Sequence, residues 1–395
     1  MKKLMVLGAS WPQVQLINAA KALGYKTVVC SIPGNYPGFA AADETAYADI
    51  SDPEAVLAAA QAFHADGLAT CCLDTGVRAL GYTCEKLGLT GLSEAAAICS
   101  ADKWSMKQAF MAAGVNTARF CRVTDEATLA QALETLSLPV IIKAVDLQGS
   151  SGIYICRTRD DAFANIGKVL AATKRDFCIV EEFIEGRELG AQAFVYHGQV
   201  LFVLPHGDNT YLSGTNIPVG HYAPIDAAQA VIDAVDAEVR KAIRAIGLDN
   251  CAVNLDLIER GGEIFVIELT GRVGATCLPE TVSIYYGMNY YEMIAAMAVG
   301  DDPVAIFDKR EDKRVPNASR MMLSEKSGTV QRIIDGVTKD ETIDDLSVIV
   351  KPGDPVNKFT NAKDRLGQII VHGPTLEDCF RRIEEIESQF IIEIE

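Results

Sequence analysis

The alternation of strand-like and helix-like segments in the first hundred residues restricts the fold more than any other feature of this sequence. Apolar runs at Leu4–Leu7, Thr27–Ser31 and Gly67–Leu73 predict buried strands. Segments with helical character, Pro12–Leu23 and Gly76–Leu87, follow the first and third of these runs. Strands separated by helices pair in parallel, with the helices packed on the sheet. The sequence therefore predicts an open N-terminal α/β layer.

This layer lacks the marks of a dinucleotide site. The first strand–helix turn, Gly8-Ala9-Ser10, has no G-x-G-x-x-G pattern, and the second strand ends in Cys30-Ser31-Ile32 without an acid to hold a ribose. The layer is thus Rossmann-like in architecture only, and a nicotinamide-dependent oxidoreductase is disfavoured.

Charge and composition exclude further classes. Lysine and arginine number 36 against 53 aspartates and glutamates, a net charge of −17, which argues against nucleic acid or an anionic membrane as a partner. No run approaches the roughly 20 apolar residues of a membrane helix. The eleven cysteines are scattered, and the first apolar run is shorter than the roughly 7–15 residues of a secretory leader, so we expect a cytoplasmic protein.

A hairpin near residue 260 carries the sharpest chemical signal. Cys251–Ile258 and Glu263–Leu269 read as two strands that turn over Gly261-Gly262. Such a hairpin places Asp256 beside Glu268, and two adjacent carboxylates repel unless a cation lies between them. Mg²⁺ prefers such oxygen ligands, and the planar fork of Arg272 suits an acyl or phosphoryl oxygen on the same face. The alternative is a surface hairpin with solvated acids.

Two further segments suit a nucleotide. Lys143 ends an apolar strand and precedes the turn Gly149-Ser150-Ser151-Gly152, where a lysine and exposed N–H groups suit phosphate. The strand that ends in Glu181 and Glu182 leads through Phe183 and Ile184 to Glu188, which suits adenine at the backbone and ribose at the acid. Alone, each segment is also typical of an ordinary turn.

The stretch from Leu204 to Pro224 is polar and shows little regular periodicity. We predict a long loop there, and long loops inside compact domains are commonly functional. His221 within it is either a substrate contact or a structural residue.

Taken together, the ordered motifs resemble the ATP-grasp enzymes, and the resemblance covers essentially the whole chain. Ser100-Ala101-Asp102-Lys103, with Met106-Lys107 and Ala113-Gly114-Val115, is similar to the D-K…M-K…G-V segment of that family. Gly220-His221-x-x-Pro224 is similar to the G-H-x-x-P of amino-acid ligases. The resemblance gives Lys103 and Lys143 to ATP, residues 149–152 to the phosphate-covering loop, residues 181–184 to the adenine hinge and Glu188 to the ribose. Asp256, Glu268, Thr270, Arg272 and Gly274 fall on the metal and substrate signature.

The resemblance implies a mixed α/β and α+β architecture. It divides the chain into a pre-ATP-grasp α/β domain (1–100), an ATP-grasp domain (101–305, with a small lid at about 116–182) and a strand-rich C-terminal α+β extension (306–395). It implies a homodimeric ligase that uses ATP and Mg²⁺ (or Mn²⁺). Such a ligase activates a small carboxylate as an acyl phosphate and couples it to an amine.

Three departures from the family pattern leave alternatives open. Thr270 stands where the family usually has asparagine, Asp256 replaces the commoner glutamate, and Ala275 stands where a second glycine is frequent. ATP-dependent carboxylation, carbamoyl-phosphate-type chemistry and a nucleotide-binding relative without ligase activity are the alternatives.

Overall fold

A computed structural model describes residues 1–147, 152–212, 216–311 and 313–395. The strands are β1 Lys3–Leu7, β2 Lys26–Ser31, β3 Glu44–Tyr47, β4 Gly67–Ala69, β5 Phe120–Val123, β6 Val140–Lys143, β7 Ile153–Cys156, β8 Cys178–Glu182, β9 Arg187–Tyr196, β10 Gln199–Leu212, β11 Asn216–Ala223, β12 Cys251–Arg260, β13 Glu263–Thr270, β14 Asn317–Met322, β15 Gly328–Asp335, β16 Ile343–Val348, β17 Pro355–Val356, β18 Gly367–His372 and β19 Phe390–Ile394. The helices are α1 Trp11–Ala22, α2 Gly38–Ala41, α3 Pro53–Ala62, α4 Val77–Leu87, α5 Glu94–Ala101, α6 Lys103–Ala113, α7 Glu126–Thr135, α8 Arg159–Ala172, α9 Gln229–Ile246, α10 Leu278–Tyr286, α11 Tyr290–Ala298, α12 Val304–Phe307 and α13 Leu376–Gln389.

The N-terminal strands form the parallel layer that the sequence predicts. Their order is β3-β2-β1-β4, and Val6 on β1 lies opposite Val29 on one side and Ala69 on the other. The third predicted strand is shorter than expected, since β4 ends at Ala69 and the chain turns away toward Asp74. This turn follows the carboxyl end of β4, the edge at which open α/β sheets carry their functional side chains.

A mostly antiparallel central sheet runs in the order β13-β12-β9-β10-β11-β14-β18-β16. The predicted loop over 204–224 is wrong, because β10 and β11 form a hairpin there, with Asp208 opposite His221. Polar residues on one face of a strand usually point to bulk solvent. Here His206 and His221 are buried, so polar residues occupy positions where a buried strand face is usually apolar, and the sequence does not show the apolar–polar alternation of a strand.

A smaller sheet, β5-β8-β6-β7, packs against α7 and α8 through a core of its own that includes Val140, Ile142 and Val180. Its strands β6 and β8 pair Lys143 with Ile179 and Ile141 with Glu181. Beyond residue 316 the chain adds β14, β16 and β18 to the central sheet and forms a further sheet, β17-β15-β19. The mixed α/β class and the strand-rich C-terminal region are therefore confirmed. Among the described residues, no helix is both long enough and apolar enough to cross a bilayer.

Candidate active site

One row across the central sheet gathers the candidate catalytic residues. Asp256 on β12 lies directly opposite Glu268 on β13, and on its other side opposite Gly190 on β9. Gly190 in turn lies opposite His206 on β10. Directly opposed residues share a face of the sheet, so two carboxylates and an imidazole line the same surface. Glu188, two residues before Gly190 on β9, belongs to this face as well.

A register shift shapes this row on β13. Asp256 pairs with Glu268, but Leu257 pairs with Val266, which leaves Ile267 as an extra residue. Such bulges recur next to active sites because they re-aim a side chain. Here the extra residue immediately precedes Glu268, the acid that faces Asp256.

The electrostatics of Asp256 fit a cation site. Desolvation by the surrounding protein, together with the charges of Glu268 and Asp208, raises its pKa to about 7. Two carboxylates that disfavour each other's ionisation are stabilised by a cation between them.

Lys103 supplies part of that positive charge. Lys103 is the first residue of α6, whose N-cap Asp102 accepts the backbone N–H of Ser105 at 2.8 Å. Its Nζ lies 3.1 Å from Glu268 Oε1 and donates to the carbonyl of Leu147 at 3.0 Å. The lysine therefore reaches from the helix start to the hairpin acids.

Thr270 is a second indication that a cation binds beside Asp256 and Glu268. It is only 9% exposed, and its Oγ1 is buried without a hydrogen-bond partner among the described residues. Asn254, which lies directly opposite Thr270 on β12, donates to Asp256 Oδ1 at 3.4 Å. The donor set of two carboxylates and a hydroxyl fits Mg²⁺, which takes oxygen ligands.

Lys143 lies in a buried group of alternating charges. Its Nζ is 3.3 Å from Glu181 Oε1, and the Nζ of Lys107 on α6 is 2.8 Å from Glu181 Oε2. Lys107 also donates to Thr117 Oγ1 at 2.7 Å, and Thr117 donates to the carbonyl of Val266. Glu181 is 1% exposed and Lys107 2%. Burial opposes ionisation of Glu181, but the two lysines hold its pKa below the ordinary value.

The hinge residues after Glu181 border a cavity of about 540 Å³. Glu182, Phe183 and Ile184 line it together with Ala118 and Phe265. Ala118, Ile184 and Phe265 form a small apolar cluster, on which Ile258 and Ile267 pack. This volume and the apolar wall suit a planar base.

Arg272 is held by a residue of the N-terminal layer. Its Nε donates to Asp74 Oδ1 at 2.7 Å, and its Nη1 donates to the carbonyl of Val273. Burial disfavours the charged guanidinium, but Asp74 raises the pKa of Arg272 above its ordinary value. Gly274 is packed beside it, because an added Cβ would lie 2.4 Å from Asn254 Oδ1 and 2.3 Å from Leu278 Cδ1.

His206 and His221 converge on Asp208. The Nδ1 atoms of the two rings lie 3.0 and 2.6 Å from the same oxygen, Asp208 Oδ1. Burial opposes ionisation of Asp208, but the two rings hold its pKa far below the usual range. The atoms of His206, Asp208 and His221 that could ligate a metal lie within 4.8 Å of one another. Both Nδ1 atoms, however, lie at hydrogen-bond distance from the same Asp208 oxygen. The trio is therefore organised by hydrogen bonds around a single carboxylate.

Gln192 fixes the tautomer of His206. The backbone N–H of Gly274 donates to Gln192 Oε1 at 3.0 Å, so the Gln192 amide nitrogen faces His206 Nε2 at 3.2 Å. His206 Nε2 then accepts, and its Nδ1–H donates to Asp208.

The structure thus brings most of the predicted site residues to one region and adds others. Asp74, Lys107, Asp208 and Gln192 were not predicted. Asp74 lies just beyond the end of a parallel strand, a position that could have signalled it. Asp208 lies two residues from His206, inside the segment predicted as a loop, whereas the partners of Lys107 and Gln192, which are Glu181 and Asn254, are far along the chain. Gly149, Ser150 and Ser151 lie outside the described residues, whereas Gly152 is described at a φ of +68°.

Two family models match parts of this chain. The model described as phosphoribosylglycinamide synthetase, ATP-grasp (A) domain, matches residues 101–248. The model described as L-amino acid ligase C-terminal domain 2 matches residues 320–395. The two matches cover the small sheet with part of the central sheet, and the strand-rich C-terminal region.

Solved structures resemble the chain over its whole length. A structure titled phosphoribosylglycinamide synthetase, from Anaerococcus prevotii, is 46% identical, with a TM-score of 0.90 and complete coverage of both chains. An L-amino acid ligase from Bacillus licheniformis is 20% identical, with a TM-score of 0.83, over 100% of this chain and 99% of that one. At 20% identity, the similarity to the L-amino acid ligase structure shows only that the two chains share a fold.

A curated relative adds a sequence match. Alanine–anticapsin ligase of Bacillus subtilis (strain 168) is 24% identical over 264 residues, which are 61% of this chain and 55% of that protein. The chain thus spans about half the length of this curated relative.

Proposed function

Because the chain belongs to the ATP-grasp family, we propose that it is an ATP-dependent carboxylate–amine ligase. The observation that carries this proposal is the row Glu268–Asp256–Gly190–His206, with Lys103 paired to Glu268 and Arg272 anchored by Asp74. Paired acids, lysines and an arginine are the parts that phosphoryl transfer needs, because its catalysis is mostly positioning and charge neutralisation.

The chain's residues divide the work as follows. Residues 182–184 hold adenine in the cavity that they line, and Glu188 holds the ribose. Lys103 and Lys143 meet the phosphates as point charges, together with residues 149–152. Asp256, Glu268 and Thr270 would hold Mg²⁺ or Mn²⁺, which when bound neutralises phosphate charge.

The reaction proceeds through an acyl phosphate. A substrate carboxylate oxygen attacks the γ-phosphorus of ATP, and ADP leaves. The amine nitrogen then attacks the acyl carbon, loses a proton and displaces phosphate. Arg272, kept in one orientation by Asp74, stabilises the negative oxygen of the acyl phosphate and of its tetrahedral successor. His221, held through Nδ1 by Asp208, and Gly274 border the substrate.

We favour an amino acid as the substrate class. The match of residues 320–395 to the model described as L-amino acid ligase C-terminal domain 2 supports this choice.

A second candidate is the joining of glycine to a phosphorylated ribosylamine. Its support is the 46% identity to the structure titled phosphoribosylglycinamide synthetase. The match of the C-terminal region to the L-amino acid ligase model favours the first candidate, so we rank this reaction second.

Phosphate release from ATP with matched substrate panels tests the proposal. We expect ATP-dependent release with a pair of L-amino acids and weaker release with glycine plus phosphoribosylamine. Bicarbonate replacing the carboxylate substrate tests carboxylation and carbamoyl-phosphate-type chemistry. Binding of ATP without turnover on any pair would instead indicate a nucleotide-binding relative and would overturn the ligase proposal.

Two substitutions test the residue roles. Glu268→Gln and Lys143→Ala should each lower the rate at least about a hundredfold, because the first removes a metal-ligating carboxylate and the second a positive charge that meets the phosphates. Glu384→Gln is the control for the first, since Glu384 is an exposed glutamate on α13, outside the residues assigned to the site. Equal loss in the control would argue against a specific role for Glu268.

The finer expectations stay proposals. We propose a homodimer in the cytoplasm, built from the domains 1–100, 101–305 and 306–395, with the lid at about 116–182. The free cysteines suit a reducing compartment. Sedimentation equilibrium tests the dimer, and limited proteolysis with and without ADP tests the domain boundaries and the lid.

A further inference from the structure

Lys107 is a buried cation of this region to which the proposed mechanism gives no role. It lies on α6, one turn after Lys103, and is almost completely buried. Its Nζ has two partners, Glu181 Oε2 at 2.8 Å and Thr117 Oγ1 at 2.7 Å. A lysine buried this far is rare unless it is paired, so its charge must serve the group around it.

Glu181 is shared by two lysines that differ in their freedom. Lys107 holds Oε2 at 2.8 Å and is tied to Thr117 as well, whereas Lys143 stands 3.3 Å from Oε1. Glu181 Oε1 is buried and has no hydrogen-bond partner within strict geometry among the described residues. The contact of Lys143 with Glu181 is therefore the looser of the two.

These contacts have a consequence for nucleotide binding. When a phosphate of the nucleotide pairs with Lys143, Glu181 loses one of the two positive charges next to it. With Lys107 in place, the buried carboxylate keeps a counter-charge. Without Lys107, that transfer would leave an unpaired buried carboxylate, which is strongly unfavourable.

We propose that Lys107 is a positioning residue that releases Lys143 to the phosphates of the nucleotide by neutralising Glu181 in its place. The inference rests on the proposed function, since it takes Lys143 as a phosphate contact. Lys107 itself touches no nucleotide in this assignment, and its whole effect passes through Glu181.

Calorimetric titration of the full chain with ADP and with adenosine tests the inference. Lys107→Met should weaken ADP binding at least about tenfold, because Lys143 is then needed at Glu181. Adenosine binding should change less than about twofold, because adenosine has no phosphate for Lys143 to meet. Lys107→Arg should restore ADP binding to within about threefold, since it keeps the charge.

A double-mutant cycle separates this role from simple damage to the fold. In a Glu181→Gln background, Lys107→Met should have little further effect on ADP, because no buried carboxylate remains to be neutralised. The control is Lys168→Met, on an exposed lysine of α8, which should leave ADP binding unchanged.

The outcomes are distinguishable. If the unaltered protein does not bind ADP, the proposed function fails. If it binds ADP but Lys107→Met weakens ADP and adenosine alike, or weakens ADP equally in the Glu181→Gln background, Lys107 is only structural and the inference is overturned. Should Lys107→Met fold poorly, the ADP-to-adenosine affinity ratio of Lys107→Gln replaces it in the same cycle.

Discussion

At the scale of single residues, the site is governed by how its charges are paired. Asp256 is opposed by Glu268 across the hairpin, and its pKa is raised to about 7. Glu268 is met by Lys103, Glu181 by two lysines and Arg272 by Asp74. Asp256 is thus the acid of this set whose surroundings least favour its charge.

Asp256→Asn should therefore stabilise the metal-free protein while it removes activity. At pH 8 the aspartate is ionised against the preference of its surroundings, but solvent screens part of this effect because Asp256 is exposed, so we expect the free energy of unfolding to rise by only on the order of 1 kcal/mol. Urea denaturation in the presence of EDTA measures this change. The sign follows from the raised pKa: at pH 5 wild-type Asp256 is protonated in the folded state, so the stabilisation should be much smaller.

Glu263→Gln on the same hairpin is the matched control and should change stability little at either pH, because Glu263 is exposed. A lower stability of Asp256→Asn at pH 8 would contradict this account of the site.

At the scale of the strands, β9 makes the row possible because it contributes no side chain at its centre. The His206 ring lies over Gly190, and a Cβ added there would fall 2.0 Å from His206 Cε1. The glycine is required here by close approach, and its absence of a side chain lets an imidazole from β10 lie next to Asp256 of β12. Strand pairing alone therefore sets the distance between the histidine–aspartate trio and the carboxylate pair.

Gly190→Ala should displace His206 and break its contact with Asp208. We expect a loss of about 1–3 kcal/mol in the free energy of unfolding, the usual range for overpacking, together with lower activity. Thermal and urea unfolding measure the first effect, and phosphate release measures the second.

Gly167→Ala, in helix α8, is the control. An added Cβ at Gly167 meets no atom within 4 Å, so alanine should stabilise the protein slightly through its higher helix propensity. If Gly190→Ala changed the free energy of unfolding as little as Gly167→Ala, the close approach of His206 to Gly190 would not affect stability.

At the scale of the whole molecule, the site depends on contacts between distant parts of the chain. Asp74 follows the N-terminal sheet, yet it orients Arg272, which is 198 residues later. Cys72 donates through Sγ to the carbonyl of Gly274 in the same region. The N-terminal layer therefore takes part in the site, although its own glycine pattern marks no nucleotide site.

Asp74→Asn should lower kcat at least about tenfold and leave the KM for ATP nearly unchanged, because Arg272 acts on the acyl phosphate in our mechanism. Asp74→Glu should recover part of the rate. Steady-state kinetics with the active substrate pair measures both constants.

Asp301→Asn is the control, because Lys2–Asp301 also joins the N-terminal sheet to the rest of the chain, through side chains 41% and 44% exposed. An exposed pair of this kind contributes about 0–1 kcal/mol, so kcat should not change. An Asp74→Asn variant with normal kcat would show that Arg272 needs no anchor.

The sequence by itself determined the elements and the local chemistry. Hydrophobic periodicity predicted the parallel layer, and the two glycines of the turn fixed the hairpin that sets Asp256 against Glu268, because both signals act over a few residues. The same periodicity failed over 204–224, where strands whose polar side chains turn inward read as a loop.

Only the tertiary structure decided the partners. The pairing of Lys107 and Lys143 with Glu181, of Arg272 with Asp74 and of both histidines with Asp208 joins residues that lie up to 198 positions apart. Apart from His206 and Asp208, which lie two residues apart on β10, no local pattern encodes these pairs, since they arise when separate elements bury polar groups that must satisfy one another. The sequence thus supplied the ionisable groups, and the packing of the elements determined which of them neutralise each other and that the charge of Asp256 is disfavoured.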